Sequence, residues 1–123
     1  MPSVIDSILN SVKKDLGITA EYTHFDPDII MDINTAFSIL TQLGVGPVGG
    51  FSISDSSAVW TDFVPADPRL EIIKSYVCKK VKLLFDPPTS GPSNEALNRV
   101  VSELEWRINV TVDPKLEDTN NAD

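Results

Sequence analysis

The chain has 123 residues, 41% of them hydrophobic and 23% charged, the balance of a soluble globular protein. Acidic residues outnumber basic ones by 18 to 10, and the net charge of −8 disfavours general nucleic-acid binding, because phosphate contacts require Lys and Arg. The single cysteine, Cys78, excludes an intramolecular disulfide and suits a reducing cytosol. No apolar run approaches the ~18 residues needed to span a bilayer, and the N-terminus lacks the basic start and long apolar core of a signal peptide.

Helical periodicity dominates. Ile5, Ile8, Leu9, Val12 and Leu16 form one stripe, which predicts a helix over 3–16. Ser3 and Asp6 resemble a capping box at its start, and Gly17 is placed to end it. Lys13 and Lys14 fall in its last turn, where they complement the helix dipole. Asp26-Pro27-Asp28 opens a second helix over 27–43, with Asp26 as the cap and Ile29, Ile33, Ala36, Phe37, Leu40 and Leu43 on its buried face. Gly44, Gly46, Pro47, Gly49 and Gly50 then break the pattern. Across the loop segment 44–66, the alternation of Phe51 and Ile53 with serines, a turn at Asp55-Ser56-Ser57, and strand formers from Ala58 to Phe63 predict a small β-hairpin.

The longest periodic stretch follows. Leu70, Ile73, Val77, Val81 and Leu84 stack on one face of a helix predicted over 68–86, capped by Asp67 with Pro68 at its first position. Pro87-Pro88 stops it, because the residue before a proline is pushed out of the α region. This helix carries Lys74, Lys79, Lys80 and Lys82, an unusual share of the basic residues of an acidic chain. A fourth helix is predicted over 94–109, with Ser93 as cap and Leu97, Val100, Val101, Leu104 and Ile108 on one face. Trp106 points away from that stripe, alongside Arg99 and Glu95. The tail 113–123 is polar, acidic and unpatterned, and is expected to be disordered. The fold class is therefore mainly α: one four-helix domain over 1–112 with a hairpin insertion, followed by a flexible tail.

No catalytic or metal constellation emerges. GVGPVGG lacks the Lys-Ser/Thr ending of a phosphate loop and follows a helix instead of a strand. Asp26, Asp28 and Asp32 do not match calcium-loop spacing, and helix capping and the dipole explain the first two. His24 has no cysteine partner at zinc-ligand spacing and no nucleophile elbow. Cys78 reads as a packed thiol, and Glu103 and Glu105 as a solvated helix face. The expectation is a non-enzyme with no cofactor. The remaining signals are those of an interface: exposed Trp106 with Arg99, the hairpin's Trp60 and Phe63, and Lys74, Lys80 and Lys82 facing the acidic surface of an identical neighbour.

The segments DSILNSVKKDLGI, FDPDIIMDINTAFSILTQLGVGP, FSISDSSAVWTDF, IIKSYVCKKVKLLFDPP and NEALNRVVSELEWRINV together resemble the head–tail connector (adaptor) proteins of long-tailed bacteriophages. The resemblance runs from Ser3 to about Val112 and is most specific in YVCKKVKLLFDPP and ELEWRINV. It implies a structural virion protein made in the host bacterial cytoplasm. It also implies a homo-oligomeric ring, usually dodecameric, beneath the portal protein, extending the DNA channel and offering a platform for stopper or tail-completion proteins. DNA would pass without sequence-specific binding. The competing expectation is a small cytosolic interaction module or regulator, monomeric or dimeric, using the same exposed aromatics.

Overall fold

The computed structural model describes residues 7–65 and 68–112. Five helices run in order through these residues: α1 (Ile8–Asp15), α2 (Asp26–Gln42), α3 (Trp60–Phe63), α4 (Arg69–Phe85) and α5 (Gly91–Val112). The described residues contain no sheet; the sole β-type pairing among them is an isolated antiparallel bridge between Ser7 and Val59. The mainly helical expectation is met, with four principal helices close to their predicted places.

Helix α4 is the central element, packing against α1, α2 and α5. Ile73, Tyr76, Val77 and Val81 are at most 1% exposed, which is the burial its wide apolar arc requires. Ile29, Ile33, Ala36, Phe37 and Leu40 of α2 and Ile8, Leu9 and Val12 of α1 close the same core. Fully burying an aliphatic side chain of this kind contributes about 1.5–3 kcal/mol. Helix α5 packs chiefly along α4 through Val101 and Ile108. The Tyr76 hydroxyl fixes the register of this pair by donating to Glu105 Oε2 at 2.8 Å.

The boundaries correct several expectations. Helix α1 begins at Ile8, not Ser3, because Ser7 is extended and caps it, its Oγ accepting from the Asn10 amide. The proposed Ser3–Asp6 box lies outside the described residues, as do the Asp67 cap and the tail 113–123. At α2 the capping position is held by Phe25, and Asp26 is already helical, its carboxylate turned to Lys13. Helix α5 starts three residues before the predicted start, because Ser90 and not Ser93 takes the capping role: its Oγ accepts from the Ser93 amide at 3.2 Å. Helix α4 ends at Phe85, before Pro87-Pro88, as the proline rule requires.

The β-hairpin does not form. Its first arm meets α2 instead of a second strand: the Asn34 side chain donates to Ile53 O at 3.0 Å and accepts from Ile53 N at 2.8 Å. A primary amide offers the same donor–acceptor pair as a neighbouring strand, so one side chain satisfies the backbone that hairpin pairing would have used. The second arm is tied to the start of α1, with the Ile8 amide donating to Ala58 O at 3.0 Å and Ser7 Oγ to Ser56 O at 2.7 Å. It then coils into α3, where Asp62 Oδ2 accepts from the Val59 amide at 2.9 Å, so the turn holds its own N-terminus.

Candidate interaction surfaces

Among the described residues no group of three or more His, Cys, Asp or Glu side chains is placed to hold a metal ion. No described helix is long and apolar enough to cross a membrane. Surface chemistry is concentrated in two places, both set up by helix packing.

The first is a groove of about 630 Å³ where the end of α1, the first half of α2 and the end of α4 converge. Its apolar lining includes Leu16, Phe25, Met31 and Leu84, and its edge carries Asp28, Asp32 and Asp86. Met31 is 67% exposed, a large apolar side chain left uncovered beside two carboxylates. The Phe25 ring stacks edge-on against Phe85 at 5.5 Å, holding the α1–α2 link to the end of α4. Partial burial holds the Asp32 carboxyl above the usual carboxylate range, and the negative charge of Asp28 one turn away adds to the effect.

The link between α1 and α2 holds a buried ammonium. Lys13 is 1% exposed and its Nζ donates to Ala20 O at 3.0 Å and Tyr22 O at 2.7 Å, while pairing with Asp26 Oδ1 at 2.8 Å. Two of the three ammonium protons go to carbonyls, and the Asp26 carboxylate sits beside the charge as an ion pair, its buried Oδ1 accepting no hydrogen bond of its own. The link between α1 and α2 is thereby wrapped around one charge, and the same link supplies Ile18 and Phe25 to the groove. Lys13 does fall in the last turn of α1, where the sequence predicts a partner for the helix dipole, and burial gives it this further work.

The second surface is the outer face of α5. Trp106 is 64% exposed and Val110, one turn later, 42% exposed. Arg99 is exposed and lies two turns earlier on the same face by helical spacing. Arg107 flanks the ridge and pairs loosely with Glu103 at 3.4 Å. The expectation that Trp106 points away from the packed stripe is met.

Other candidate residues separate. Trp60 and Phe63 are 2% and 3% exposed and belong to the core, which corrects their reading as surface aromatics. Phe63 packs against Phe37 at 4.5 Å and Phe51 at 5.2 Å, and the Trp60 indole N–H donates to Ser11 Oγ at 3.1 Å. Coiling of 60–63 into a helical turn, in place of a strand, drives both rings inward. Lys74, Lys80 and Lys82 are all half-buried and do not share one face; at ~100° per residue, Lys74 and Lys80 are ~120° apart around α4. Lys74 is 3.7 Å from Glu71 and Lys82 3.0 Å from Asp86, so two of the three lie beside acids on their own helix or at its end. Burial pushes the Cys78 thiol up to about 12, with Asp15 adding to the effect and Lys79 and Lys74 opposing it. It is a neutral packed thiol at physiological pH, as its place among apolar residues suggested.

Sequence reasoning did not find the groove. The one available signal was Met31, an apolar residue between Asp28 and Asp32 on the polar side of α2.

The fold and its surfaces define a small helical subunit whose distinctive chemistry is exposed apolar side chains edged by charge. Residues 8–115 match the family described as phage connector protein, and the chain belongs to that family. No curated protein and no solved structure matches it. Membership implies a place in the virion and contact with other phage head or tail proteins.

Proposed function

We propose that the protein is the head–tail connector subunit that forms a ring beneath the portal, extends the DNA channel, and presents the docking platform for stopper or tail-completion proteins. Its role on this reading is structural and not catalytic. The observation that carries the proposal is the family match over nearly the whole described chain. A net charge of −8 suits a channel component, because an acidic wall repels the phosphate backbone and lets DNA pass without sticking. The exposed Trp106 with Arg99, and the cationic heads of Lys74, Lys80 and Lys82, are the side chains proposed to meet neighbours in the assembly. Partly buried lysine stems with charged heads at the surface suit such a rim.

The test is a depletion and mixing experiment. Infected cells lacking this protein should accumulate DNA-filled heads and separate tails, and adding the purified chain should restore joining. Normal virions in its absence would refute the proposal. The competing reading, a monomeric or dimeric interaction module using the same exposed tryptophan, predicts no effect on head–tail joining.

A further inference from the structure

The groove and the α5 ridge are opposites in shape, with Asp28 and Asp32 lining the first and Arg99 standing on the second, and no helix contributes to both. The groove is concave, apolar at its floor and edged by three carboxylates, Asp28, Asp32 and Asp86. The ridge is convex, with the Trp106 indole at its crest and the Arg99 guanidinium two turns before it, while Arg107 is already paired with Glu103 at 3.4 Å. We infer that Trp106 of one copy seats in the groove of the next copy, with Arg99 meeting the Asp28 and Asp32 carboxylates. This rests on the ring reading above and names the contact by which one subunit meets the next.

The choice of a second copy as occupant follows from the placement of the two surfaces. A two-fold dimer needs one patch that complements itself, and an acid-edged groove facing its own copy brings like charges together. Groove and ridge are different patches on different helices, and a contact in which each copy gives its ridge to one neighbour and its groove to another is head-to-tail and propagates until the rotation closes it into a ring. The groove's volume of about 630 Å³ accommodates an indole with its flanking side chains. Met31 is suited to line it, since a thioether on an unbranched stem adapts to a ring and makes favourable sulfur–aromatic contacts. Asp28 and Asp32 repel each other at i,i+4 in the isolated chain. A guanidinium between them would remove that repulsion, and it would oppose the burial and the Asp28 charge that together raise the proton affinity of Asp32.

The experiment has two arms, each run in solution and on portal-bearing heads. In the first, Trp106 is replaced by the photo-crosslinker p-benzoylphenylalanine and the adducts are mapped by mass spectrometry. Cross-links to 25–32 or 84–86 of another copy are expected; adducts confined to portal or tail proteins would overturn the inference and leave the ring reading standing. In the second, Trp106→Ala and Arg99→Glu should each weaken self-association at least about tenfold. Asp32→Arg should do the same, and Arg99→Glu with Asp32→Arg together should recover most of the loss. Rings of unchanged affinity in the single variants would also overturn it. Failure of the unmodified chain to self-associate under any condition would overturn both this contact and the ring.

Discussion

Lys13 offers the sharpest test of how the link between α1 and α2 is held. Replacing it with Met keeps the length of the stem but removes the two hydrogen bonds and the ion pair of the ammonium. The carbonyls of Ala20 and Tyr22 then lose a donor, and the Asp26 carboxylate, 21% exposed, loses its partner. Breaking a buried ion pair by removing one member costs about 3–5 kcal/mol. Because Asp26 retains some access to water, the lower end applies, and Lys13→Met should cost about 3 kcal/mol. That corresponds to a fall in Tm of roughly 10 °C for a chain of this length. Urea unfolding followed by circular dichroism is the assay, with the midpoint falling and the m-value unchanged. Asp26→Asn alone should cost about 1–2 kcal/mol, because the buried ammonium keeps two carbonyl acceptors. The double variant should be little worse than Lys13→Met, a coupling of more than about 1 kcal/mol. A loss below about 0.5 kcal/mol for Lys13→Met, or strict additivity in the cycle, would refute the reasoning.

Further outcomes are expected. Gly46 has φ +86, and an added Cβ would meet the Phe63 ring, with Cζ 2.9 Å away; Gly46→Ala should therefore cost about 2–4 kcal/mol from strain and overpacking together. Gly49→Ala, which meets nothing within 4 Å, should be close to neutral in the same thermal-melt comparison. Tyr76→Phe removes the hydrogen bond to Glu105 and should cost about 1–2 kcal/mol in chemical unfolding while leaving helix content unchanged. Asp32 has a raised pKa in the fold, so its ionised form is disfavoured relative to the unfolded chain: stability attributable to it is highest below the ordinary aspartate range and falls as pH rises through the folded pKa. Asp32→Asn should accordingly melt higher than the parent at pH 7, with the gap closing near pH 3; a gap that widens on acidification would contradict the sign. Cys78, with its thiol pushed up to about 12, should resist alkylation at pH 8 in the folded protein and react readily in urea.

The helical framework was legible because periodicity and punctuation agree along most of the chain. The stripe of Leu70, Ile73, Val77 and Val81 ending at Pro87-Pro88, the Asp-Pro-Asp opening before α2, and the outward position of Trp106 are all local signals, and all three hold. What was not legible depends on contacts distant in sequence. The alternation at Phe51 and Ile53 is a true strand signal, but the partner that satisfies it is the Asn34 side chain, 19 residues earlier. The inward turn of Trp60 and Phe63 depends on Ser11, Phe37 and Phe51. Lys13 looked like a dipole partner because nothing local says that the chain from Ala20 to Asp26 folds back over it. The groove is legible only after that folding-back is known, since its lining comes from three helices and the link between the first two.

The central claim is that this connector-family chain works as a ring subunit at the head–tail junction. The most direct test is the mass of the purified protein by native mass spectrometry, alone and after mixing with portal-bearing heads, with electron microscopy of the same samples. The account predicts either a closed ring in solution or a smaller species that adds a ringed layer beneath the portal. A monomer or dimer that leaves portal-bearing heads bare at every concentration would contradict it.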